Sequence, residues 1–162
     1  KKEVHAFVSN ELALLVSKSA AGKVARLNDL QKPGLKISMA AEKVPVGAYT
    51  REMLKKASVE LGERWRTHVT ANTVSLESNV SAVFSRVEMD EVDAGLVYRT
   101  DAIRAKTSVM REIPKQWNVR AFYYVAVPKD SENALTGQKL VKFVLDKRGQ
   151  EILAKHGFKP PK

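Results

Sequence analysis

From Glu42 to Leu54 the chain reads EKVPVGAYTREML, with no acidic side chain between Pro45 and Tyr49. The segment has the marks of a loop that turns into a helix N-terminus. Pro45 suits the first helical turn, where its missing N–H costs nothing. Gly47 allows a close approach to the backbone. Backbone N–H groups at such a point, with the positive end of the helix dipole behind them, form an anion site. The same residues would equally serve an ordinary helix start, so the segment gains weight only from residues later in the chain.

Other chemistries find little support. The sequence holds no G-x-S-x-G, no Walker-type glycine loop and no G-x-G-x-x-G. His5, His68 and His156 stand far apart, without metal-ligand spacing. No Ser/His/Asp arrangement can be argued from residue order, and the carboxylates fall mostly on helix positions expected to face solvent. Cysteine is absent, which excludes disulfides and thiolate metal sites. The expected class is therefore a binding module rather than an enzyme, with no cofactor and no metal site.

The elements that must position an anion site alternate. Glu11–Ser17 is a near-continuous apolar run, as in a strand buried on both faces. Leu27–Leu30 reads as a short helical turn, closed by Lys32-Pro33-Gly34, and 35–39 as a strand. Met53, Leu54, Ala57 and Leu61 recur at helical spacing, so a helix runs from about Val46 to Leu61 and stops at Gly62. Trp65–Thr73 could be a strand or a linker. Val80, Val83, Phe84 and Val87 mark another helix, capped by Ser78 or Asn79. Strands come next at 94–98, 109–113 and 121–127, with a short helix at 100–106. Two helices close the chain, carrying Leu135 to Leu145 and then Ile152 and Leu153, with Gly157 as a C-cap. Alternation of this kind predicts an α/β fold with a largely parallel sheet. Ligands of such folds bind beyond the carboxyl ends of strands. Val46, Val80 and Tyr98 stand at three such places.

The 162 residues suit one domain, or one domain and part of a second. At 44% hydrophobic residues there is material for a core, and no apolar run approaches the roughly 20 residues of a membrane span. Lys1-Lys2-Glu3 leads straight into a strand-like segment with no secretory signal, so either the mature chain begins here or upstream sequence is missing. The net charge of +10 comes from 28 basic residues interleaved with 18 acidic ones. Such scattering predicts a solvated basic surface that can steer anions, not a nucleic-acid footprint.

Several segments, taken in order, resemble the periplasmic molybdate-binding proteins, the solute-binding components of molybdate ABC importers. Ser9–Val16 looks like the family's crossing strand, and Leu27-Asn28-Asp29-Leu30 like its short helix. Val44-Pro45-Val46-Gly47-Ala48-Tyr49 is similar to its V-P-A-G-x-Y. Glu77-Ser78-Asn79-Val80 and Ala94–Ala102 look like its later ligand regions, and Gly149–Leu153 with His156-Gly157-Phe158 like its ending. The resemblance implies a two-lobed, type II periplasmic-binding fold. Residues 1–10 would end the first lobe and form a hinge, 11–127 the second lobe, and 128–162 the C-terminal helices returning to the first. It implies a molybdate or tungstate ligand, held by the N–H groups of Val46 and Val80 and the hydroxyl of Tyr98. Val46 replaces the family's usual alanine, which a backbone donor tolerates. The implied partner is the membrane permease of the importer, and the implied location is the periplasm or the outer face of the cell membrane.

The family's two first-lobe serines have no counterpart, since Ser9, Ser17 and Ser19 do not match their motifs. If the first lobe lacks its core strands, Leu140, Val141, Val144, Ile152 and Leu153 would present an apolar face that seeks a partner. A fragment, a partly ordered longer protein or self-association by exchange is therefore expected. The competing readings are the effector-sensing domain of a LysR-type regulator, which shares the fold and needs an upstream helix-turn-helix, and a basic RNA-associated protein, which the scattered charge disfavours.

Overall fold

The computed structural model describes residues 4–161; residues 1–3 and 162, the extreme ends of the segments delimited from sequence, lie outside the described residues. The strands are β1 (His5–Val16), β2 (Ile37–Ala40), β3 (Thr73–Glu77), β4 (Ala94–Tyr98), β5 (Val109–Glu112) and β6 (Arg120–Val125). The helices are α1 (Pro45–Leu61), α2 (Glu63–Ala71), α3 (Val80–Glu88), α4 (Arg99–Ala102), α5 (Ala134–Leu145) and α6 (Lys147–Lys155), with a 3-10 turn at Leu27–Gln31. Two compact units result: Glu11–Val119, and the residues up to Asn10 together with those from Arg120 onward.

The Glu11–Val119 unit holds the main core. Its strands run in the order β3-β2-β4-β1-β5. β2 pairs in parallel with β3 and β4, whereas β1 is antiparallel to β4 and β5. Four strands thus point one way and β1 alone runs against them, so the sheet is mixed where the alternation predicts a mainly parallel one. β1 is separated from both its sheet neighbours, β4 and β5, by several intervening elements, so no single strand–helix–strand crossover sets its direction. Leu12, Leu14, Leu15, Ile37, Met53, Trp65 and Leu96 are fully buried. Gly95 sets the spacing of α3 on β4, because a Cβ there would stand 2.7 Å from Val83 and 2.9 Å from Val87.

The segment read as a strand or linker at 65–73 is mostly helix α2, and β3 comes after it. Trp65 and Val69, one helical turn apart, are its buried residues, and the Trp65 indole N–H donates to the Asn28 carbonyl at 3.2 Å.

The terminal unit contains the first half of β1, β6, α5 and α6. Ser9 and Lys159 exchange backbone hydrogen bonds of 2.8 and 2.9 Å. Arg120 donates from Nε to the Ser9 hydroxyl at 2.8 Å and from Nη2 to the Pro160 carbonyl at 2.7 Å. These bonds tie β6 to the chain ends, and the unit they belong to takes in the residues from Arg120 onward. The Asp146 carboxylate caps α6 by accepting from Gly149 N–H at 2.8 Å. None of the residues of α5 is buried, and Leu135, Leu140 and Phe143 on it are exposed.

Candidate functional site

Three element ends meet at one edge of the sheet. Parallel pairing puts Ala40, at the end of β2, opposite Glu77, at the end of β3. The β2–β4 register, Ser38 opposite Gly95, brings the end of β4 to the same edge. Each of these strand ends leads into a helix: β2 into α1, β3 into α3, and β4 into α4, for which Tyr98 is the N-cap. The mixed sheet therefore leaves intact the feature that matters for binding, helix starts beyond strand carboxyl ends.

The start of α1 is uncapped. Pro45 opens the helix, Val44 at the N-cap has no side-chain oxygen to offer, and the first turn contains no acid. The first backbone bond of the helix runs from Ala48 N–H to the Val44 carbonyl at 3.0 Å. The N–H groups of Val46 and Gly47, second and third in the helix, have no intrahelical acceptor by geometry. The Val46 side chain is buried and anchors the turn, and the Thr50 hydroxyl bonds the Val46 carbonyl at 2.8 Å.

Gly47 has a packing reason distinct from ligand approach. A Cβ there would lie 2.0 Å from the Ala41 carbonyl oxygen and 2.6 Å from that of Ala40. The helix can start this close to the end of β2 only with glycine at this position.

The start of α3 is half capped. Asn79 Oδ1 accepts from Ala82 N–H at 2.9 Å, in agreement with the sequence expectation that Ser78 or Asn79 caps this helix. The N–H groups of Val80 and Ser81, first and second in the helix, are left to other partners. The half-buried Val80 side chain packs on the core. Tyr98 is also half-buried against the core, and its ring meets that of Tyr49 edge to face at 6.5 Å between centroids. That contact joins the end of β4 to the second turn of α1, so the elements of Val46 and Tyr98 touch directly. For Val80 the structure shows the same sheet edge.

Acidic side chains near this edge are occupied. Glu77 pairs with Arg86 at 2.6 Å, Asp101 with Arg104 at 2.8 Å, and Glu112 with Arg99. Burial pushes the Asp101 carboxyl above the usual carboxylate range, against the opposing pull of Arg104 and the Tyr98 backbone N–H. Arg51, on the second turn of α1, went unnoticed in the sequence. Its Nη1 donates to the Gly47 carbonyl at 2.9 Å and to the Ala40 carbonyl at 3.1 Å. Its position four residues after Gly47, one helical turn on, is the signal that could have found it.

Neutral donors at two helix starts, with a tyrosine beside them, can replace the water around an oxyanion. Among the described residues no group of three His, Cys, Asp or Glu is placed to hold a metal ion. Two surface grooves, one of about 850 Å³ lined by His5, Val127, Gln138 and Val141, belong to the terminal unit, and neither is lined by Val46, Val80 or Tyr98.

The profile of the bacterial extracellular solute-binding proteins matches residues 1–159. The chain belongs to that family. Its members are binding proteins rather than enzymes, acting outside the cytoplasm, and the fold is that of the periplasmic binding proteins. The chain is 29% identical to the molybdate-binding protein ModA of Mycobacterium tuberculosis over 96% of its own length and 56% of that protein. It is 28% identical over 98% of its length to 58% of YvgL of Bacillus subtilis, named as an ABC-transporter substrate-binding lipoprotein. Among solved structures, it superposes with a TM-score of 0.80 and 25% identity on a substrate-binding domain assigned to a molybdenum ABC transporter of Clostridium difficile, covering 97% of this chain and 66% of that one. The chain thus spans little more than half the length of the curated relatives it matches. Among the described residues no helix is long and apolar enough to cross a membrane.

Proposed function

We propose that the protein carrying this chain binds molybdate or tungstate and hands it to the membrane permease of an ABC importer. The observation that carries the reading is the convergence of the uncapped start of α1, the half-capped start of α3 and Tyr98 at one sheet edge, in a chain similar to molybdate-binding proteins. The N–H groups of Val46 and Val80 and the Tyr98 hydroxyl are the donors. A desolvated dianion is stabilised there by dipoles and hydrogen bonds, and cavity size separates it from the smaller sulfate. The Glu11–Val119 unit is the second lobe, and the terminal unit contributes to the first.

Calorimetric titration of molybdate, then sulfate, into a protein extended to the length of the relatives tests this. Strong heat with molybdate and none with sulfate is expected. Tyr98→Phe then removes one hydrogen bond to a charged group, about 1.5–3 kcal/mol, or roughly 10- to 150-fold in affinity. Silence with both anions, or equal affinity for sulfate, overturns the reading.

The terminal unit supports a second proposal, self-association of this 162-residue chain. Of the five residues expected on the apolar face, Leu140 and Ile152 are exposed and Val141, Val144 and Leu153 are half-buried, while Phe122, Tyr124, Leu135 and Phe143 are exposed as well. Sedimentation of the chain over a range of concentrations is expected to show dimers that Leu140→Glu weakens. A monodisperse monomer at every concentration refutes this.

A further inference from the structure

The geometry points to Arg51 as a positioning residue of the anion site. It pins the first turn of α1 to the end of β2 and fixes an uncompensated positive charge behind the donors. The proposal rests on the oxyanion reading above and adds a residue to it.

A single guanidinium nitrogen, Arg51 Nη1, bridges two carbonyls, that of Ala40 at the end of β2 and that of Gly47 in the first turn of α1. The same two residues also approach closely, since a Cβ on Gly47 would lie 2.6 Å from the Ala40 oxygen, beside the still closer 2.0 Å to that of Ala41. Arg51 is half-buried and therefore held by its surroundings rather than free in solvent. The bridge fixes the direction of the Val46 and Gly47 N–H groups, which precede it by one turn.

The charge of Arg51 acts independently of the bridge. Glu77, Asp101 and Glu112 each have a basic partner, and Glu52, next to Arg51, pairs with Lys56 at 2.9 Å. Glu42 and Lys43, in the loop before α1, are of opposite sign. Among the described residues Arg51 bonds to the neutral carbonyls of Ala40 and Gly47 and forms no ion pair, so no contact partner there cancels its charge. Backbone donors carry only partial charges, whereas a tetrahedral dianion brings two full ones into a partly dry site. A guanidinium held one turn behind the donors offsets part of that charge without touching the ligand.

Two variants separate the roles. Arg51→Met loses bridge and charge, while Arg51→Lys keeps the charge and can reach a carbonyl with a single ammonium. Molybdate titration of the full-length protein at low and high salt, beside thermal melts, is the assay. Arg51→Met is expected to bind about tenfold more weakly near 10 mM salt, where the Debye length is about 30 Å, with a smaller deficit near 1 M. Arg51→Lys is expected to fall between the two with the wild-type salt dependence. A purely structural arginine would lower the melting temperature and leave the affinity of the folded protein unchanged. Arg51→Met within twofold of wild type, or Arg51→Lys no better than Arg51→Met, overturns the proposal. If wild type binds no oxyanion, the oxyanion reading fails by itself. Amide exchange at Val46 and Gly47 then decides the positioning role: faster exchange in Arg51→Met supports it, and unchanged exchange refutes it.

Discussion

Gly47→Ala probes the site and the fold together. The added Cβ would lie 2.0 Å from the Ala41 carbonyl oxygen and 2.6 Å from that of Ala40, and both are backbone atoms that cannot rotate away. Relief requires the first turn of α1 to retreat by about 1 Å or more, since carbon and oxygen in ordinary contact stand well over ~3 Å apart. Overpacking of this kind costs about 1–3 kcal/mol. In a chain of this size that lowers the melting temperature by several degrees, at about 2–4 °C per kcal/mol. The retreat carries the Val46 N–H with it. A donor moved from about 2.9 to about 3.9 Å no longer makes a hydrogen bond, so a further roughly 10- to 150-fold loss of molybdate affinity is expected. Gly22→Ala is the control, because its Cβ would meet nothing within 4 Å. That variant should melt at or slightly above the wild-type temperature. Thermal melts and anion titrations on the three proteins decide the matter. If Gly47→Ala melts and binds like wild type, the close approach of α1 to β2 does not set the site.

Two further outcomes are expected from other bonds in the Glu11–Val119 unit. Burial opposes ionisation of Glu88, but the Ser108 hydroxyl and the N–H groups of Ser108, Lys106 and Thr107 outweigh it and hold the carboxyl at about 2, below its ordinary 4.5. Because the folded value is depressed, this stabilisation is complete above pH 4.5 and is lost as pH falls from 4.5 towards 2. After allowance for solvent screening it amounts to about 1–2 kcal/mol. Glu88→Gln should therefore melt lower than wild type near neutral pH and converge with it near pH 2; a constant difference across that range refutes the assignment. Asn79→Ala removes the cap of α3, and loss of about 1 kcal/mol in urea unfolding is expected. Asn79→Asp should restore it, and failure of that rescue would deny the capping role.

Much of the fold is legible from local rules, and the exceptions have identifiable causes. Helix α1 reads from Pro45 to Gly62 because its signals lie within one or two turns: proline at the start, Met53, Leu54 and Ala57 on one face, and a glycine with φ of 89° at the end. β4 is bounded as its apolar run suggests. Helix α2 is obscured because only Trp65 and Val69 are buried along it. β3 is obscured for another reason, since Val74 and Leu76 are both exposed, against the usual reading of an apolar alternation. At the site, the helix starts before Val46 and Val80 are legible because proline, glycine and asparagine act through their own backbone. Arg51 is not, because a basic residue on a polar helix face looks like any solvated one.

The sequence by itself therefore offered three places where an anion donor could stand: Val46 in a turn opened by proline, Val80 after Ser78 or Asn79, and Tyr98 at the end of an apolar strand. These are properties of segments a few residues long. Tertiary structure alone decided that they share an edge. It set Ala40 opposite Glu77, Ser38 opposite Gly95 and Tyr49 against Tyr98, and it carried Arg51 back to the Ala40 carbonyl. Most of those pairings join residues separated by several intervening elements of the chain. Register over such distances is set by which faces bury together, a condition that depends on every element of the sheet at once.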